Sequence, residues 1–197
     1  AGATSVKEAN LFFRNVGGRT FINAGRSLDL TAPGRSARQS SWVDFDNDGD
    51  LDLFAANRAG PNVLFRQDAG NFARVAASQF PDDARPTVGA CWLDYDRDGD
   101  LDLFLANQAG ATDALWRNDG NGFVDVATEL GIDRPNRPSE EGSVGCAVGD
   151  YDNDGHLDLF VASYGANVLY RNKGDGSFEN VAPRLGLGEV NHAVGAA

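Results

Sequence analysis

Short apolar runs recur along the chain, each closed by a cluster of Gly, Asn and Asp. Three of them are nearly identical: LDLFAAN at 51–57, LDLFLAN at 101–107 and LDLFVAS at 157–163. Rich in aromatic and branched side chains and bounded by turn formers, they predict strands. A run before each, at 41–45 and its equivalents, predicts a partner strand. After each comes a second shared piece, beginning at Asn62, Asp113 and Asn167. Here a strand ends in Phe-Arg, Trp-Arg or Tyr-Arg and a Gly/Asn/Asp turn leads to another strand around Phe72, Phe123 or Phe178. A further copy of this second piece opens at Asn10, and Val194–Ala197 matches the start of another unit at 88–91. Apolar residues nowhere sustain the i, i+3, i+4, i+7 spacing of a helix, and only 126–132 has room for one helical turn.

Repetition fixes the fold class. Four short antiparallel strands recurring at this spacing predict an all-β β-propeller of four-stranded blades. Three full blades are expected at about 37–80, 87–130 and 143–185, with a partial blade at 1–30 and the start of the next at 190–197, all within a single domain 1–197. A unit cut out of phase leaves a divided blade without one strand and its turn. The chain is therefore expected to be a fragment of a larger propeller, or to be completed by another chain or segment, since an open blade edge invites pairing. There is no methionine, even at position 1, so the chain reads as a processed or excised segment.

With 42% hydrophobic and 23% charged residues among 197, the composition is that of a globular protein. No run approaches the ~18 apolar residues of a membrane-spanning helix, so membrane insertion is not expected. The net charge of −12 is localised: segments 44–52, 94–102 and 150–158 hold fourteen of the 29 acidic residues and one basic residue, Arg97. The rest of the chain is close to neutral. No basic stripe offers itself to phosphate, so a nucleic-acid partner is not expected.

Each acidic segment has the form D-x-D-x-D-G-x-x-D. The aspartates are Asp44, Asp46, Asp48 and Asp52; Asp94, Asp96, Asp98 and Asp102; and Asp150, Asp152, Asp154 and Asp158. Four carboxylates within nine residues repel one another unless a cation neutralises them. Alternating aspartates around a glycine bend suit a hard, oxygen-loving ion, and Ca²⁺ at three sites is the expectation. The seventh position is Asp50, Asp100 or His156; tolerance of histidine there points to the backbone carbonyl as ligand. An EF-hand is rejected, because its twelfth position requires Glu and here holds Ala55, Leu105 and Val161. A solvated acidic turn without metal does not explain three near-identical copies.

These loops, with the aromatic-Arg-Asn and Gly-x-Phe pieces, resemble the FG-GAP/VCBS repeats of integrin α-subunit propellers and of many secreted proteins. The resemblance covers about residues 10–197 and implies calcium bound by the aspartates above. It leaves function open, because such propellers serve adhesion, glycan binding and as appendages to enzymes.

Strand alternation places the first and third connections of each blade on one face, with the acidic loops. Arg14, Arg66, Arg117 and Arg171 would lie near them, either pairing with loop aspartates or merely exposed. The opposite face carries the less repetitive loops, where binding residues tend to collect. Candidates there are Asn57, Arg58, Asn107, Gln108, Ser163 and Tyr164, with Arg85, Asn136 and Arg137. Trp42, Trp92, Trp116 and the matched phenylalanines are expected in the core. Cys91 and Cys146 stand three and four residues before Asp94 and Asp150, so alternation argues for two buried free thiols. An extracellular, cell-surface or periplasmic location follows from calcium. No triad, H-E-x-x-H or phosphate loop occurs, so an enzyme is not expected. The expected function is a calcium-stabilised module recognising a protein or carbohydrate ligand; alternatives are a structural or assembly domain, or part of a polysaccharide-degrading enzyme.

Overall fold

The structure is a computed structural model that describes residues 10–31, 36–188 and 190–192. It is all-β, with fifteen strands and no helix among the described residues. Three antiparallel sheets repeat one plan. The first consists of β3 (Ala37–Val43), β4 (Asp52–Asn57), β5 (Val63–Asp68) and β6 (Asn71–Arg74) in sequential order. The second is β7 (Thr87–Leu93), β8 (Asp102–Asn107), β9 (Ala114–Asn118) and β10 (Phe123–Asp125). The third is β11 (Gly142–Gly149), β12 (Asp158–Ala166), β13 (Val168–Asn172) and β14 (Phe178–Asn180). Two strands, β1 (Phe13–Gly17) and β2 (Thr20–Asn23), form a separate hairpin, and β15 (Val190–His192) pairs with the far end of β12. Of the segment 190–197 expected to open another blade, 193–197 lie outside the described residues, as do 1–9 of the partial blade.

The first strands of the sheets, β3, β7 and β11, lie against one another, so each blade radiates outward from a shared inner edge. All three carry a bulge at the same place, between Ala37 and Gln39, Thr87 and Gly89, and Ser143 and Gly145. Inner strands approach closely there: a Cβ on Gly89 would stand 2.9 Å from the Gly145 Cα. In the first blade Gln39 takes the equivalent place, and its side-chain amide donates to the Ala90 carbonyl at 2.8 Å and accepts from the Ala90 N–H at 2.8 Å. The segment 126–132 makes one hydrogen-bonded turn, Leu130 N–H to Val126 O, which tucks the fully buried Ile132 under its blade.

Blades pack face to face. Phe54 and Leu64 of the first meet Ala90, Leu103, Leu105 and Trp116 of the second. The other face of the second blade, with Leu93, Phe104 and Leu115, meets Cys146, Leu159 and Val161 of the third. Trp116 is thus core, as expected. Phe13, Phe21 and Trp42 are not: they are 57%, 59% and 49% exposed. The hairpin β1–β2 corresponds to the outer strand pair of a blade, without an inner pair beside it among the described residues, and Trp42 meets the rings of Phe12 and Phe72 at 5.8 and 6.2 Å. A groove of about 460 Å³ lies there, lined by Phe12, Phe13, Trp42, Leu53 and Phe65 among others.

The cysteines also overturn their expectation. Cys91 and Cys146 form a disulfide, with Cα atoms 6.1 Å apart. Side chains do alternate along each strand, but the contact between two blades has a different geometry from that within one sheet. Two strands of one sheet share a face; two neighbouring blades meet through opposite faces. Cys91 looks forward to the third blade, whereas Ala90 looks back to the first. Cys146, equivalent to Ala90, looks back from the third blade to the second, so the one-residue offset is what brings the sulfurs together.

Candidate metal centres

Each acidic loop is a tight turn between the first two strands of a blade. Its fourth position has a left-handed backbone, Asn47, Arg97 and Asn153 at φ 57°, 64° and 58°, and so does the sixth, Gly49, Gly99 and Gly155 at φ 91°, 97° and 87°. Glycine is the residue that takes the wider of these angles without a steric penalty. The first aspartate closes the turn. Asp44 accepts the N–H groups of Asp48 and Gly49 at 3.1 and 3.0 Å; Asp150 accepts those of Asp154 and Gly155 at 3.0 and 2.9 Å. The aspartate at the fifth position accepts the N–H two residues on, at 2.8 Å for Asp48, 2.9 Å for Asp98 and 3.0 Å for Asp154.

The aspartate at the ninth position is the most buried: Asp52, Asp102 and Asp158 are 0%, 0% and 1% exposed. Each staples the loop to the blade. Asp102 accepts Tyr95 N–H at 3.0 Å and Asn118 N–H at 2.9 Å, and Asp52 and Asp158 repeat the pattern. Burial, opposed by those two hydrogen bonds, pushes the Asp102 carboxyl up to about 7 and also raises Asp52 and Asp158. Asp46 and Asp96 are raised by burial and then by the adjacent carboxylates Asp48 and Asp98. The second of these causes is the mutual repulsion of carboxylates held close together.

Oxygens of Asp44, Asp46 and Asp48 lie within 4.8 Å of one another, as do those of Asp94, Asp96 and Asp102, and of Asp150, Asp152 and Asp158. The residues fit a hard cation: every converging donor is a carboxylate oxygen, and the buried Asp94 Oδ1 has no hydrogen-bond partner. At the seventh position the side chains turn towards the outer hairpin. Asp50 accepts Ala69 N–H at 2.8 Å, Asp100 Oδ2 faces Gly120, and the His156 ring lies over Gly174 so closely that a Cβ there would be 2.3 Å from Nε2.

The loop arginines divide. Arg171 donates to Asp152 at 2.5 Å and to Asp154 at 2.6 Å. Arg66 reaches Asp46 only at 3.9 Å and pairs with Asp68 at 2.7 Å; Arg117 pairs with Asp119 at 2.7 Å. Sequence reasoning gave no role to the residue after each arginine, yet Asn118 and Asn172 are 3% and 1% exposed and donate to carbonyls of the preceding blade's loop. The only trace in the sequence is the recurrence of Arg-Asn at Asn15, Asn118 and Asn172, with Gln67 in the fourth copy.

On the opposite face, many candidates lie inside the blade junctions. Asn57 and Asn107 are fully buried. Asn57 donates to Pro61 O, and Asn107 accepts from Thr87 Oγ1 and donates to Thr112 O. Arg137, 7% exposed, pairs at 3.1 Å with the fully buried Asp113, which Ser143 also reaches at 2.6 Å. Burial, opposed by Arg137, raises the Asp113 carboxyl. Ser163 is buried and accepts from Arg134, and Arg85 joins Asp83 to Asp125. Arg58 and Asn136 are exposed, and Gln108 and Tyr164 are half-buried. Asn107, Arg137 and Ser163 belong to one hydrogen-bond network, which runs through Asp113, Ser143 and Arg134.

The FG-GAP-like repeat model matches three times, over residues 44–105, 94–161 and 150–197, each match beginning on the first aspartate of an acidic loop. The chain belongs to the FG-GAP-like repeat family. It is also similar to cartilage acidic protein 1: 29% identical to the mouse protein and 30% to the human protein, each over 91% of this chain. Over 81% of the chain it is 31% identical to the protein of Xenopus tropicalis. The chain spans less than a third of the length of these relatives, 30%, 29% and 25% respectively.

Proposed function

We propose that this chain is a calcium-stabilised, extracellular FG-GAP propeller module that serves recognition and not catalysis. The observation that carries the reading is the three-fold convergence of carboxylate oxygens at one place in the repeat, with a buried Asp94 oxygen left unpaired. Calcium is the ion that chemistry favours. It takes six to eight oxygens in flexible geometry, and extracellular modules bind it at roughly 10⁻⁴ to 10⁻³ M, within reach of extracellular levels. The Cys91–Cys146 disulfide fits an oxidising compartment, and membership of a repeat family found in a cartilage-named protein agrees with it. A protein or glycan ligand would meet the face opposite the loops, at exposed Arg58 and Asn136.

Thermal unfolding of the EDTA-treated protein, with and without added Ca²⁺, tests the reading. Millimolar Ca²⁺ is expected to raise the melting temperature and Mg²⁺ to do so far less. Equal melting temperatures in all three conditions would sink it.

A further inference from the structure

We propose that the three acidic loops are thermodynamically coupled, through Asn118 and Asn172, so that a divalent cation bound in one loop raises the affinity of the next. This rests on the reading that the loops bind a divalent cation. An unbroken path of hydrogen bonds joins them. Phe45, the second residue of the first loop, donates its N–H to Asp52 at 3.1 Å, and its carbonyl accepts Asn118 Nδ2 at 2.9 Å from the second blade. The Asn118 backbone N–H then donates to Asp102 Oδ1 at 2.9 Å, and Asp102 Oδ2 accepts Tyr95 N–H at 3.0 Å. Tyr95, in turn, offers its carbonyl to Asn172 Nδ2 at 2.7 Å. The Asn172 backbone N–H donates to Asp158 Oδ1 at 2.9 Å, and Asp158 Oδ2 accepts Tyr151 N–H at 3.0 Å.

Every connecting side chain on this path is buried: Asp52, Asn118, Asp102, Asn172 and Asp158 are all 3% exposed or less. Burial makes the links consequential, since a buried amide or carbonyl that loses its partner incurs its full desolvation cost. An acidic loop without its cation pushes its own carboxylates apart and loosens the peptide that Asn118 or Asn172 must meet. A cation in the first loop fixes the Phe45 carbonyl, which fixes Asn118, whose backbone N–H holds the closing carboxylate of the second loop. Part of the ordering cost of the second site is then already met before its ion arrives, which is positive coupling without a change of fold.

Coupling should be uneven along the path. Between the first and second loops a second link exists: Asn47 Nδ2 donates to Asp100 Oδ1 at 2.9 Å and to Gly99 O at 3.3 Å. At the matching fourth position the second loop has Arg97, and among the described residues the hydrogen bond of Asn172 to the Tyr95 carbonyl joins it to the third blade without a counterpart of the Asn47 link.

Calcium titration calorimetry of the EDTA-stripped full chain tests the coupling, using Asp44→Ala to disable the first loop. In the wild type, three ions should bind with a Hill coefficient above 1. Asp44→Ala should weaken binding at the remaining sites by about fivefold or more, the lower end of ordinary coupling between sites. Asn118→Ala combined with Asn47→Ala, which removes both links of the first loop to the second, should remove that dependence, so that adding Asp44→Ala to the pair changes the other sites no further; Asn172→Ala should free the third loop alone. Near-ultraviolet circular dichroism confirms folding of each variant, and if Asn118→Ala does not fold, the comparison of Asp44→Ala with wild type still decides. Three ions binding independently, with Asp44→Ala leaving the other two affinities unchanged, would overturn the coupling while leaving the cation sites intact. Absence of any binding heat, with no change in melting temperature, would overturn both.

Discussion

Cys91 on β7 and Cys146 on β11 are joined across 55 residues of sequence, a cross-link between the second and third blades in addition to the main chain. Both strands lie at the shared inner edge, where the two blades approach most closely. Closing a loop of this length removes conformational entropy from the unfolded chain worth about 4 kcal/mol at most. The Cys91→Ser, Cys146→Ser double variant should therefore unfold at a markedly lower urea midpoint, and a reductant should move the wild type but not the variant. Identical midpoints with and without reductant would contradict this.

How much of this was legible beforehand depends on whether a feature belongs to the repeat or to the space between repeats. The strand plan, the acidic loops and the left-handed glycines recur at fixed offsets, so self-similarity exposed them. The disulfide was misread because alternation along one strand says nothing of which blade each face meets. Asn118 and Asn172 were passed over for a similar reason: they look like turn formers, and their partners lie 73 and 77 residues away. Asn57, Asn107 and Arg137 were read as loop residues free for a ligand, whereas the blade junctions enclose them. Nothing in a single unit's pattern marks an inter-blade contact.

Core position and open edge should respond differently to the same truncation. Phe104 is fully buried between the second and third blades, while Phe13 on the β1–β2 hairpin is 57% exposed. Phe104→Ala should cost about 3–5 kcal/mol by lost burial and cavity formation, whereas Phe13→Ala should fall within about 0.5 kcal/mol of wild type. Chemical unfolding of the calcium-loaded protein measures both. A large loss from Phe13→Ala would mean that something covers the hairpin in solution, and light scattering on the same sample would show whether it is a second copy.

Arg171 and Arg117 occupy matching positions but have different partners, which separates their effects on the cation. Arg171 places a guanidinium on Asp152 and Asp154, two carboxylates of the third loop, while Arg117 pairs with Asp119 outside the second loop. A positive charge beside the ligands opposes a second one. Arg171→Gln should thus raise calcium affinity at the third site a few-fold at low ionic strength, less so in high salt, and Arg117→Gln should leave the second site nearly unchanged. Calorimetry at two salt concentrations checks the pair; weaker binding by Arg171→Gln would instead make the arginine a support that orients the carboxylates.

Gly89 and Gly149 are both glycines of inner strands, yet only one lies where strands touch. A Cβ at Gly89 would stand 2.9 Å from Gly145 Cα and 3.2 Å from Ala106 Cβ, whereas one at Gly149 would meet nothing within 4 Å. Backbone cannot yield as a side-chain tip does, so Gly89→Ala must push β7 away from β11 just where the disulfide draws them together. Such overpacking costs about 1–3 kcal/mol, and Gly149→Ala should be close to neutral. If the cost lies in that forced separation, Gly89→Ala should be milder once Cys91 and Cys146 are replaced by serine, because the strands are then free to move apart. A double-mutant cycle in urea reads the difference, and strict additivity would place the strain elsewhere.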